Sequence, residues 1–66
     1  AVAERYGLSP RERDVFDLLV RGRSIDYIAQ NLTISFNTAK SHIRHIYVKA
    51  DVHSRQELID LIDRER

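Results

Sequence analysis

An all-α fold, four short helices enclosing a helix-turn-helix, is predicted by three observations on this chain of 66 residues. Apolar residues recur at spacings of three and four, and no stretch alternates apolar and polar residues as a strand does. A serine stands at the head of each periodic stretch, where it can cap a helix. The first helix is expected from Pro10 to about Arg21. Ser9 accepts from the exposed amides, Pro10 suits the first helical position, and Glu12 reaches back to complete a capping box. Val15, Leu18 and Leu19 form its buried face, flanked by Phe16 or Val20, and Gly22 closes it in a left-handed conformation.

Ser24 caps a second helix, residues 25–32, with Ile25, Ile28, Ala29 and Leu32 on one face. Thr33 and Ile34 make a tight turn, and Ser35 caps the third helix, residues 36–50. Its inner face falls at Ala39, Ile43, Ile46 and Ala50, a stripe of period 3.6. Asp51 stands where a left-handed residue is expected. Ser54 and Glu57 predict a second capping box opening the fourth helix, residues 55–65. Its apolar residues Leu58, Ile59, Leu61 and Ile62 span more than a narrow core stripe. Some should pack on the third helix and leave an apolar edge for a partner. Residues 1–7 read as an arm or linker remnant and residues 8–66 as one domain. The chain starts on Ala and ends within its last helix, so it reads as a piece of a longer protein.

Composition narrows the function. A chain this short buries only about 60% of its unfolded surface, which leaves little room for the deep pocket most enzymes use. Without cysteine there is no disulfide framework, thiolate metal site or Cys nucleophile. The apolar runs are far too short to span a membrane, and no signal peptide opens the chain. Nothing assembles a nucleophile, a base and a pocket, so no enzyme and no cofactor is expected. His42 and His45 share a helix surface, but no cysteine or carboxylate stands at ligand spacing, so no metal site is expected either. Glu12 is explained by its capping box, with an ion pair to a basic residue on another helix as a further structural use. Arg11 and Arg13 oppose the dipole of their helix, which suggests a partner outside it.

The charge is unevenly placed. Residues 1–30 carry five Arg against five acids, and residues 51–66 carry three Arg against five acids. Residues 31–50 carry Lys40, Arg44 and Lys49 with no acid, so a net charge of +1 conceals one positive helix. A short helix, a tight turn and a longer helix make a helix-turn-helix, whose second helix protrudes enough to enter a major groove. Ala29 suits the close crossing of the pair. The outward residues are Asn37, Lys40, Ser41, Arg44 and, a turn later, Val48. Lys and Arg can donate to guanine acceptors or phosphates, and Ser41 to either.

The stretches LSPRERDVFDLLVRG, IAQNLTIS, NTAKSHIRHIYVK and VHSRQELI, in that order, resemble the LuxR-type (GerE-like) DNA-binding domain of bacterial transcriptional regulators. The likeness runs from Leu8 to about Ile62. It implies a compact four-helix bundle that binds double-stranded DNA through its third helix, as the C-terminal output domain of a cytoplasmic regulator. It also implies Lys40, Ser41 and Arg44 at base-facing positions, with Thr38 and Lys49 on the DNA backbone and Asn37 and His42 as weaker backbone candidates. An inverted-repeat operator, a homodimer through Leu58, Ile59, Leu61 and Ile62, and RNA polymerase as a partner follow from the same resemblance. Three residues depart from the family pattern: Thr33 replaces a frequent turn Gly, Ala39 a usual Val, and Ala50-Asp51 a usual Leu-Gly. Two rival readings are the promoter-reading helix-turn-helix of a sigma factor and a helical protein-interaction module. The VHSRQELIDLI helix argues against the first, and salt-dependent DNA binding would exclude the second.

Overall fold

Four serines set the frame. In this computed structural model, which describes residues 2–65, the N–H groups of Glu12, Tyr27, Thr38 and Glu57 donate to the hydroxyls of Ser9, Ser24, Ser35 and Ser54. Each bond satisfies one of the amides that a helix leaves unpaired at its start. The helices that follow are α2 (Pro10–Val20), α3 (Ile25–Leu32), α4 (Phe36–Ala50) and α5 (Arg55–Arg64). They match the four expected helices to within one residue at each end. A single turn, α1 (Val2–Arg5), precedes them within the segment read as an arm. There is no strand among the described residues. Ala1 and Arg66, the ends of the expected arm and domain, lie outside them.

Ser9 and Glu12 form the full reciprocal box: Glu12 N–H donates to Ser9 Oγ at 3.2 Å, and Ser9 N–H to Glu12 Oε1 at 2.9 Å. The second box is only half made. Ser54 Oγ accepts from Glu57 N–H, but the Glu57 carboxylate accepts from His53 N–H at 3.2 Å, one residue earlier than expected. The extended φ of −154° at Ser54 accompanies the shift.

Three helices close in one way. After α2, Gly22 (φ 82°) donates to Leu19 and Arg23 to Leu18. After α3, Thr33 (φ 56°) donates to Gln30 and Ile34 to Ala29; after α4, Asp51 (φ 55°) donates to Val48 and Val52 to Tyr47. Each is a Schellman turn through a left-handed residue. Only Gly adopts that conformation without a steric cost, and β-branched Thr is among the worst suited. Asp51 also sets a negative charge at the negative end of α4. Thr33→Gly and Asp51→Gly are each expected to stabilise the domain by about 1 kcal/mol, after allowing for the greater freedom of an unfolded Gly. Thermal melts check this. An unchanged or lowered midpoint would mean that contacts of the native side chain outweigh the backbone strain.

The core is built around α4, whose inner stripe Ala39, Ile43, Ile46 and Ala50 is buried throughout. It meets Val15, Phe16 and Leu19 of α2, and Ile28 and Ala29 of α3. Phe16 occupies the place expected for Leu18, which is only half-buried, because the face of α2 is rotated by part of a turn. Small Ala29 and Ala39 are both buried and let α3 and α4 cross closely. α5 rests mainly against α2 rather than along α4, where it was expected. The left-handed turn at Asp51 breaks the direction of the chain, Val52 buries just after it, and Leu58 anchors α5 in the core. Leu58 is fully buried and offers nothing to a partner, which removes it from the dimer surface read from the sequence. Leu61 and Ile62 lean on the core, whereas Ile59 is half-buried outside that cluster.

Candidate nucleic-acid interface

The side of α4 opposite its buried stripe is exposed along its length. Asn37, Thr38, Lys40, Ser41, Arg44 and Val48 all lie on the surface, and Val48 is 74% exposed. A helix that must bury one stripe presents the rest of its circumference to solvent, and here α3 and α2 cover only the inner side.

Local contacts fix several of these groups. Ser35 donates its hydroxyl to Thr38 Oγ1 at 2.8 Å while accepting from Thr38 N–H at 3.0 Å, so Thr38 belongs to the cap. The Lys40 ammonium sits 5.7 Å from the centre of the Phe36 ring, one turn back, in a cation–π contact that limits its wandering. This also explains why Phe36 can remain 44% exposed. Lys40 and Arg44 flank a shallow cavity of about 240 Å³ whose floor is Ile25, Ile43 and Tyr47. Neither cation is engaged by a carboxylate among the described residues.

Four other cations pair with carboxylates of the chain itself. Arg11 pairs with Asp14 at 3.6 Å and Arg13 with Glu4 at 3.9 Å, so the outside partner suggested for Arg13 is α1. Arg5 pairs with Glu65 and joins the two ends of the chain. Lys49 departs most from expectation. Its Nζ donates to Glu12 Oε1 at 2.6 Å and to the Gly7 carbonyl at 3.2 Å. It is therefore the basic residue from another helix that was anticipated for Glu12, and its ammonium is turned toward α2. Lys40, Ser41 and Arg44 share one exposed run with Asn37 and Thr38; Lys49 points elsewhere.

Glu12, 6% exposed, is the one buried charged residue among the described residues. The Lys49 hydrogen bond first, and the Ser9 N–H second, hold its carboxyl below the ordinary value; burial opposes them in part, and the charges of Lys49 and His45 assist. His42 is half-buried, and its Nδ1 has no hydrogen-bond partner. His45 is exposed, with Nδ1 3.5 Å from Glu12 Oε2. The carboxylate missing from the sequence neighbourhood of the two histidines is thus supplied by α2. Spacing along one helix could not reveal it.

Known proteins place this geometry. Residues 6–62 match the model of a family described as bacterial regulatory proteins, luxR family. The chain is 37% identical over 59 residues to the nitrate/nitrite response regulator protein NarL of Escherichia coli K12, covering 89% of this chain and 27% of that protein. It is 38% identical over 52 residues to the monoamine regulon transcriptional regulator of Klebsiella aerogenes, covering 79% and 23%. Against the HTH-type transcriptional regulator MalT of Yersinia pestis it is 40% identical over 57 residues, covering 86% and 6%. The chain spans from 6% to 28% of the length of the curated relatives it matches. No solved structure matches it.

Proposed function

The chain belongs to the luxR family of bacterial regulatory proteins, and from that premise we propose that it reads double-stranded DNA by laying α4 in the major groove, as the C-terminal output domain of a longer cytoplasmic transcriptional regulator. Its relatives include transcriptional regulators, MalT among them described as HTH-type, so DNA binding for regulation is the role of this domain. One observation carries the finer reading. Lys40 and Arg44 are exposed on α4 with no carboxylate spending their charge, while Arg11, Arg13 and Lys49 are paired internally. Lys40 and Arg44 stand one turn apart on the exposed side of a helix that carries no acid, and such a face presents its charge to an anion from outside.

Arg44 and Lys40 donate to guanine O6 and N7 or to phosphate, and Ser41 between them donates to or accepts from a base edge. Thr38 and Asn37, at the start of α4, sit where its exposed amides and positive dipole end favour a phosphate. His42 is a further backbone candidate, and Lys49 becomes one only by releasing Glu12. No helix of the structure is long and apolar enough to cross a membrane. RNA polymerase is the domain's expected protein partner at a promoter.

One helix-turn-helix has few contacts, so tight binding calls for two copies on an inverted repeat. The edge of α5 around Ile59, with Leu61 and Ile62 beside it, is proposed as the surface that pairs them. Gel shifts on full and half sites over a range of salt test both claims. Affinity should fall linearly with salt on log–log axes, by about 0.9 per phosphate neutralised. Binding to the full repeat should be cooperative, and Ile59→Asp should abolish the cooperativity while sparing half-site affinity. Salt-independent binding would end the DNA reading. Cooperativity that survives in Ile59→Asp would end only the α5 dimer.

A further inference from the structure

We propose that Glu12, His42 and His45 bind a divalent transition-metal ion of the zinc type, which clamps α2 to α4. One ligand atom from each of the three residues lies within 4.8 Å of the other two. Two imidazoles and a carboxylate are a donor set that zinc and its neighbours accept, with at least one coordination position left to water.

The geometry needs little adjustment. Ligands about 2.0–2.2 Å from a tetrahedral zinc stand roughly 3.3 Å apart, and His45 Nδ1 is already 3.5 Å from Glu12 Oε2. Both bonds that Glu12 accepts fall on its other oxygen, Oε1: from Ser9 N–H at 2.9 Å and from Lys49 Nζ at 2.6 Å. Oε2 therefore keeps lone pairs for a metal. His42 Nδ1 is buried without a partner, so no hydrogen bond at that nitrogen resists a reorientation of the ring. His45 has a side chain 59% exposed and can swing the remaining distance.

Lys49 is the competitor. Its ammonium neutralises Glu12 when no ion is bound and repels a second cation beside it. At 38% side-chain exposure it can retreat into solvent, and its second acceptor, the Gly7 carbonyl, gives it a partner away from Oε2. Weak binding that strengthens when Lys49 is removed is therefore the signature of this site. The proposal does not rest on the reading of bases, since none of its ligands is a base-facing residue; His42 alone is also a candidate for the DNA backbone.

Titration of the 66-residue chain with Co2+, read by the visible absorption of the bound ion and by displacement with Zn2+, tests it. One ion should bind per chain. His45→Ala, a change at an exposed side chain, should weaken binding by at least about tenfold, and Lys49→Ala should tighten it. His53→Ala should change nothing, because His53 lies just before α5, with Nδ1 3.7 Å from Glu57, and outside the cluster. Zn2+ should raise the melting midpoint of the parent chain and not that of His45→Ala. Glu12→Gln can keep the capping box through its amide oxygen but loses the ion pair with Lys49, so its melt must show a folded protein before its titration is read. An absence of saturable binding, or a His45→Ala variant that binds as tightly as the parent, overturns the site. Loss of binding in His53→Ala would instead place the ion on α5 and overturn it equally.

Discussion

Arg44→Ala is expected to weaken binding at a specific DNA site by about 1–3 kcal/mol, a loss of roughly 5- to 150-fold, and to relax base preference at one position of each half-site. Lys40→Ala should do the same at a neighbouring position. The effect is large because a bidentate donor lost from a groove leaves a base acceptor unmatched and dehydrated. The fold should survive, since both residues are exposed and neither charge is held by an internal acid. Lys40→Ala also strips the cover from the Phe36 ring, a surface change that melts should barely register. Fluorescence anisotropy on specific and scrambled duplexes separates the roles. Equal losses on both would make these residues phosphate contacts, and the salt slope would then fall by about one unit for each.

Lys49→Ala is expected to act on stability instead, by about 1–2 kcal/mol at neutral pH. The figure lies toward the low end for a charged hydrogen bond because Lys49 is partly exposed and screened by solvent. What it leaves behind is the costly part: a carboxylate 6% exposed, with only Ser9 and His45 near it. The acid limb follows with a definite sign. A carboxyl held below its ordinary value of 4.5 contributes stability that is complete above that value, and loses it as pH falls through the lowered folded value. The parent domain should therefore lose stability below about pH 4.5. Lys49→Ala should lose less over the same window, its main cause of the lowering having gone. Urea melts at neutral and acid pH measure both. A variant as stable as the parent, with a salt slope reduced by about one unit on DNA, would return Lys49 to the DNA backbone.

How far the sequence reached depended on distance along the chain. The helices were legible because their signals are local: four serine caps, Pro10 at a first turn, Gly22 after one, and a stripe at Ala39, Ile43, Ile46 and Ala50 that recurs within one element. Asp51 was legible as a left-handed residue for the same reason. Matters between elements were not. That α5 leans on α2, that Leu58 fills the core, and that Lys49 reaches 37 residues back to Glu12 all depend on how faces meet. The exposure of Lys40, Ser41 and Arg44 was legible because it is the complement of the buried stripe of α4. Periodicity alone exposes Lys40, Ser41 and Arg44, but it cannot tell a free cation from a paired one.

The left-handed residues Thr33 and Asp51 bear on how long the protein lasts. A domain this small holds only a few kcal/mol between folded and unfolded chain, so about 2 kcal/mol held back at two turns alters the unfolded population by roughly thirtyfold. Proteases and chaperones act on that population. Thr33 and Asp51 thus keep this domain more exposed to degradation than two glycines would. The lifetime of the folded domain can then be raised or lowered by substitutions at two exposed turns that lie outside the base-facing residues proposed on α4.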